Sequence, residues 1–137
     1  MVDDTVLKLW EQIKHFSPQE FDDPTAPGSG YGMNIEFVKL LDTLRDRVGI
    51  PLHLNSGFRT VEHNNAVGGK PDSAHLKGVA SDIAVNDGQL RFSLIKGALD
   101  LGFKRVGIGD TFVHLDMDLN VGMPQNVVWL YPPGKGG

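Results

Sequence analysis

The chain of 137 residues contains no cysteine. That absence removes disulfide frameworks, thiolate nucleophiles and cysteine-ligated zinc together, so any metal must be held by histidine or carboxylate. No long hydrophobic run is present either. No stretch approaches the roughly 20 apolar residues of a membrane span, and no membrane partner is expected. The opening segment MVDDTVLKLW is acidic where a secretory leader would be basic, which predicts no signal peptide. Positive charge is not in surplus: 13 basic against 17 acidic residues give a formal net charge of -4. Nothing therefore marks the chain for a phosphate backbone, and no nucleic-acid partner is expected. The length predicts one domain over 1–137, because typical domains run roughly 100–200 residues. A monomer is expected.

What is present falls into two halves with different periods. Val6, Leu9, Trp10 and Ile13 share one helical face, predicting an amphipathic N-terminal helix over 1–16. Ser17-Pro18-Gln19-Glu20 carries a capping-box signature for a second, short helix. Asp22 to Gly32 reads as a loop. Asn34 is placed to cap a helix whose apolar residues Ile35, Val38, Leu41, Leu44 and Val48 keep a helical spacing until Gly49. Beyond it, Ile50 to Asn55 is a short strand candidate and Thr60 to Val67 holds one or two helical turns. Val79 to Val85 alternates as a strand, with Ala80, Asp82 and Ala84 on one face. Leu90, Leu94, Ala98 and Leu101 mark a further helix closed by Gly102. Arg105 to Gly109, Thr111 to Asp118 and Asn126 to Tyr131 follow as strands, and 132–137 as a flexible tail. No repeat or low-complexity tract interrupts this order. The class is α+β: N-terminal helices packed on a small, mostly antiparallel sheet.

The five histidines differ in what surrounds them. His15 ends the first helix, where the dipole favours a cation. His53 lies in a short apolar strand without a decided face. His63, beside Asn64 and Asn65, reads as a polar helix-end cluster, with substrate contact the weaker alternative. His75 is followed by Gly78, which lets the backbone turn, and then by Asp82 on the next strand, so imidazole and carboxylate can converge. His114, Asp116 and Asp118 share the strand face opposite Val113, Leu115 and Met117. Two imidazoles and a carboxylate are a ligand set of catalytic zinc, with a fourth position left open. A solvated polar strand face is the ordinary explanation of such alternation, and spacing alone does not choose between them.

At these residues the sequence resembles the M15 peptidases, zinc D-alanyl-D-alanine carboxypeptidases and murein endopeptidases. The resemblance rests on Ser56-Gly57-Phe58-Arg59-Thr60, on the run Ser73-Ala74-His75-Leu76-Lys77-Gly78-Val79-Ala80-Ser81-Asp82, and on Phe112-Val113-His114-Leu115-Asp116. Phe16 to Phe21 and Leu41 to Arg45 add the look of the short, single-domain members of phage and bacterial genomes. It covers about Phe16 to Tyr131. It implies a fold of the hedgehog and D,D-peptidase type, and zinc as cofactor with His75, Asp82 and His114 as the metal ligands. It also implies Arg59 near the substrate, with Ser73 as a further substrate-binding residue or a shaper of its loop. Trp129 and Tyr131 read as sheet packing.

The sequence departs from the family at one place. Where branches of the family carry a catalytic acid three residues before the last histidine, Thr111 stands here; where others carry a histidine two before it, Phe112 stands. Asp116 is the nearest carboxylate on the face of His114. It is the candidate catalytic base, with an orienting partner of a ligating imidazole the equal alternative. The expected activity is zinc-dependent hydrolysis of peptide bonds in peptidoglycan stem peptides, as a carboxypeptidase or an endopeptidase. The expected setting is phage-encoded, acting on the wall after release or within a virion. A zinc-containing binding module without catalysis is the rival, kept open by Thr111. A metal-dependent nuclease using His63 fits poorly with the charge.

Overall fold

Each helix begins where a side chain can take up free backbone N–H groups. In the computed structural model, which describes residues 2–120 and 122–135, Asp3 caps α1 (Asp4–Trp10). The Asn34 side chain accepts from Glu36 and Phe37 N–H at 2.9 and 3.1 Å to open α2 (Ile35–Val48), which Gly49 closes at φ 80°. Thr60 caps α3 (Val61–Ala66) and Asp87 caps α4 (Gly88–Asp100). Single 3₁₀ turns span Pro18–Phe21, Ser29–Gly32 and Ala74–Lys77. Ser17 N–H donates to the Glu20 carboxylate at 2.7 Å, half of the capping box expected there.

Strands β1 (Leu54–Ser56), β2 (Ala80–Ala84), β3 (Arg105–Ile108), β4 (Phe112–Asp116) and β5 (Val127–Leu130) form one sheet in the order β1-β2-β4-β3-β5. All neighbours run antiparallel except β3 and β5. The fold is thus α+β with a mostly antiparallel sheet. One sheet face carries Ile83, Val106, Val113 and Leu115 into a core shared with Phe37, Leu41 and Leu44 of α2 and Leu94 and Ala98 of α4. Burying a side chain such as Phe37 or Leu41 contributes about 1.5–3 kcal/mol. The core therefore fixes the sheet, and the sheet's other face is left for polar work.

Four segments differ from the sequence expectation or fall partly outside it. The first helix ends at Trp10 and does not reach residue 16. Beyond it Lys14 and His15 give their N–H groups to the buried Asp42 carboxylate, at 2.9 Å each, and Phe16 turns into the core. A distant carboxylate here outcompetes helical periodicity. The strand expected at Ile50 to Asn55 is confined to Leu54–Ser56. Beta-4 stops at Asp116, because Asp118 N–H turns back to Asp116 Oδ1 at 3.0 Å. Of the tail expected at 132–137, Gly134 N–H donates to Asp110 Oδ2 at 3.1 Å, while Gly136 and Gly137 lie outside the described residues.

Candidate metal centre and active-site cleft

Strand register alone brings one row of residues across the polar face. Ser56 lies opposite Asp82, Asp82 opposite His114, His114 opposite Gly107, and Gly107 opposite Trp129. Residues paired in this way point to the same side of a sheet. His75 joins the row from the 3₁₀ turn, whose first N–H groups are capped by Ser73: its Oγ accepts from His75 N–H at 3.3 Å. Gly78 at φ 71° then reverses the chain into β2. A Cβ there would lie 2.7 Å from the Gly32 carbonyl, so the turn is closed to side chains.

His75, Asp82 and His114 converge, each buried, with one ligand-type atom apiece all within 4.8 Å of one another. His75 Nδ1–H donates to the Gly57 carbonyl at 2.8 Å, which fixes the tautomer and leaves the Nε2 lone pair free. That Nε2 is fully buried, makes no hydrogen bond among the described residues, and lies 3.5 Å from Asp82 Oδ1. Asp82 Oδ1 is also 2.8 Å from His114 Nδ1. A buried, unsatisfied nitrogen costs free energy on the order of 1–3 kcal/mol. A cation between the three side chains would satisfy it. The donor set fits zinc, which takes nitrogen and carboxylate oxygen ligands and in catalytic sites uses three protein ligands.

Asp116 sits on the other edge of the same imidazole. His114 Nε2 is 2.7 Å from Asp116 Oδ2, while Asp116 Oδ1 accepts from Arg105 Nε at 2.7 Å and from Asp118 N–H at 3.0 Å. Both oxygens are engaged and the residue is buried. Arg105 in turn donates to the Pro124 carbonyl at 2.6 Å and lies over the Trp129 ring at 5.0 Å. Asp118 is buried against Lys77 Nζ at 2.8 Å. Asp116, held by Arg105, thus backs His114.

Charges follow this geometry. Burial opposes the imidazolium of His114, but hydrogen bonds to Asp116 and Asp82 outweigh it and raise its pKa to about 9. Burial likewise pushes Asp82 and Asp116 up, and the hydrogen bonds and charge of the histidine beside them hold both below the ordinary carboxylate range. For metal-free protein the consequence has a definite sign. A pKa raised from 6.5 to about 9 in the folded chain adds stability fully below the unfolded value and loses it as pH rises through the folded one. The melting temperature of chelated protein is therefore expected to fall between pH 7 and pH 9.5, and that slope to shrink in His114→Gln. Equal slopes in the two proteins would refute the coupling.

An open cleft of ≈ 820 Å³ reaches this centre at Asp82 and is lined also by Arg59, His63, Asp110, Thr111 and Asp22. Arg59 is buried and Nη1 donates to Asn64 Oδ1 at 3.1 Å, while its own backbone N–H donates to the His75 carbonyl at 3.1 Å. It reaches the cleft wall as a fixed group. Asp22 spends both oxygens on Gly30 and Gly28 N–H, at 2.7 and 3.0 Å. The exposed Asp110 accepts from Gly134 N–H with Oδ2. Ser73 does not line the cleft; its side chain caps the turn at His75 N–H.

A model of the peptidase M15 family matches residues 13–116. The chain belongs to the peptidase M15 family. No curated protein matches it. Membership makes it a metallopeptidase-type hydrolase, and the His–Asp–His cluster lies inside the matched segment.

Two features of this M15 domain escaped sequence reading. Trp129 and Tyr131, expected to serve sheet packing, stand over the centre, with ring centroids 5.5 and 6.1 Å from that of His114. Gly107 makes this possible, since a Cβ there would meet both rings at 2.6–2.8 Å. An interior strand glycine is the signal that announces such close approach. Burial, and then the nearby Asp82 and Asp116, push the Tyr131 phenol up to about 12, so it remains a donor. The second feature is Asp23, fully buried and paired with His63; forty positions separate the two, and no local pattern links them.

Proposed function

We propose that the chain is a zinc peptidase that cuts peptide bonds in the stem peptides of bacterial peptidoglycan, with His75 Nε2, Asp82 and His114 Nδ1 as the zinc ligands. The observation that carries this reading is the orphaned His75 Nε2 held by Gly57 so that it faces the Asp82 carboxylate. Zinc bound there supplies a Lewis acid for the scissile carbonyl and a lowered pKa for water. The residues do the rest. Asp82 contributes the one negative charge of the set, which leaves the centre electrophilic. Asp116 orients His114 by accepting from Nε2–H, and Arg105 holds Asp116 in turn. With both oxygens occupied, Asp116 is not placed to take a proton from water.

We assign that role to Asp110, the cleft carboxylate that neither belongs to the ligand set nor spends both oxygens on backbone N–H groups as Asp22 does. Arg59, fixed by Asn64, presents its guanidinium to a carboxylate or carbonyl of the peptide. Ser73 acts through His75 as the cap of its turn.

The test is digestion of purified muropeptides followed by mass spectrometry. Cleavage that disappears on chelation and returns with zinc is the expected result. Muropeptides that bind without being cut, at full zinc occupancy, would turn the assignment to a binding module.

A further inference from the structure

Outside the metal centre, one histidine of the cleft wall, His63, sits against a buried carboxylate. The carboxylate of Asp23 is fully buried. Its Oδ1 accepts from Thr25 N–H at 2.8 Å and Thr25 Oγ1–H at 2.7 Å, and its Oδ2 accepts from Thr60 N–H at 2.8 Å. Burial opposes its charge, and these hydrogen bonds outweigh burial and hold it ionised. The remaining contact is His63 Nδ1, buried and 2.9 Å from Asp23 Oδ1 as an ion-pair contact without an aligned hydrogen bond. Thr60 ties the same group together twice, since its Oγ1 caps α3 at His63 N–H. The His63 side chain keeps 22% of its surface exposed and lines the cleft that also holds Asp82. With Nδ1 turned to Asp23, the outward nitrogen is Nε2.

A surface histidine needs no such backing. As at His114, where one imidazole lies between two carboxylates, an imidazole edge here meets a buried carboxylate, by proximity and not by a hydrogen bond. At His63 one carboxylate is in place and the other side opens on the cleft. We infer that His63 is a substrate-binding residue that donates Nε2–H to a carboxylate of the bound peptide, so that its ring lies between that carboxylate and Asp23. The inference rests on the peptide substrate proposed above and names its acidic group as what the cleft selects. Charged neighbours agree in part: Arg59 and Lys135 line the cleft as cations, against Asp22 and Asp110. Asp22 is already occupied by Gly28 and Gly30 N–H. A lysine-type stem peptide offers two carboxylates of this chemistry, its C-terminus and the α-carboxylate of a γ-linked D-glutamate.

The probe is the pentapeptide L-Ala-γ-D-Glu-L-Lys-D-Ala-D-Ala, with two analogues amidated at one or the other carboxylate. Calorimetric titration into the chelated whole chain reads binding without turnover, and kinetics of the zinc-loaded chain are read beside it. Wild type is expected to bind the acid about 10-fold more tightly than one of the amides, the loss of one charge-assisted hydrogen bond. The amide that costs affinity identifies the source. In His63→Gln that preference should vanish, with KM for the acid raised and zinc content unchanged. Asp23→Asn should reduce it in the same direction, and a melting curve shows whether that variant folds. Retention of the full preference in folded His63→Gln, or no preference in wild type, would overturn the assignment. Absence of cleavage by the zinc-loaded chain, with the binding preference intact, would instead overturn the proposed peptidase activity and leave His63 standing.

Discussion

His75→Ala, Asp82→Ala and His114→Ala are each expected to purify without stoichiometric zinc and to lose hydrolysis altogether. The reason is numerical as well as chemical. Three protein ligands are the minimum for a catalytic zinc site, so removing one leaves two. The loss in affinity should exceed the roughly 10–100-fold that removal of an outer-shell partner causes. The three replacements should differ in stability even so. His114→Ala strips a hydrogen-bond partner from both Asp82 and Asp116, leaving two buried carboxylates facing each other across a cavity. His75→Ala removes a side chain whose Nε2 has no hydrogen bond to lose among the described residues, and the metal-free form should tolerate it better. His15→Ala is the control, because His15 pairs with Asp46 on the surface and touches none of the three. Elemental analysis across the four variants checks the assignment. Full zinc in any ligand variant would remove that residue from the set.

The side chains of His75, Asp82 and His114 could be placed in part by short-range rules, while their grouping as a ligand set came from the resemblance and not from spacing. Beta alternation put His114 and Asp82 on the face away from Val113 and Ile83, and antiparallel pairing of β2 with β4 set them directly opposite. Gly78 announced the reversal that returns His75 to them. Helices α2 and α4 were legible through a periodic apolar face and a closing glycine, with a cap read in advance for α2 alone. What was not legible depends on partners remote in sequence. Asp42 ends the first helix early by taking two N–H groups from 27 and 28 positions away. Nothing in the run Val6 to Phe16 reports that competitor. The Asp23–His63 pair is likewise a product of chain crossing, where Thr60 N–H docks on Asp23. Asp116 shows the limit most sharply. Its face was readable from alternation, but its function turns on Arg105, which the β3–β4 register brings opposite it, and alternation in one strand says nothing about the next.

Asp116→Asn separates an orienting carboxylate from a catalytic base. Asparagine keeps the shape and an acceptor, yet it gives up the charge that holds His114 on one side and Arg105 on the other. Arg105 is itself buried, with the Pro124 carbonyl and the Trp129 face as its other partners. The variant is therefore expected to lose stability, on the order of 3 kcal/mol for a buried pair broken on one side. Zinc affinity should fall about 10–100-fold, as for other partners that fix a ligating imidazole. Rate measured against added zinc then decides the matter: an orienting role predicts that excess zinc restores most of the activity. A general base predicts the reverse pattern, normal zinc affinity with a rate lowered about 10²–10⁴-fold at every zinc concentration. The second pattern is expected of Asp110→Asn, whose carboxylate lies exposed in the cleft and accepts from Gly134 N–H. If Asp116→Asn showed the base pattern and Asp110→Asn were near wild type, the base would be Asp116 and Asp110 would have no part in the reaction. The hydrogen bonds from Arg105 and Asp118 to Asp116 would then be required to loosen during turnover.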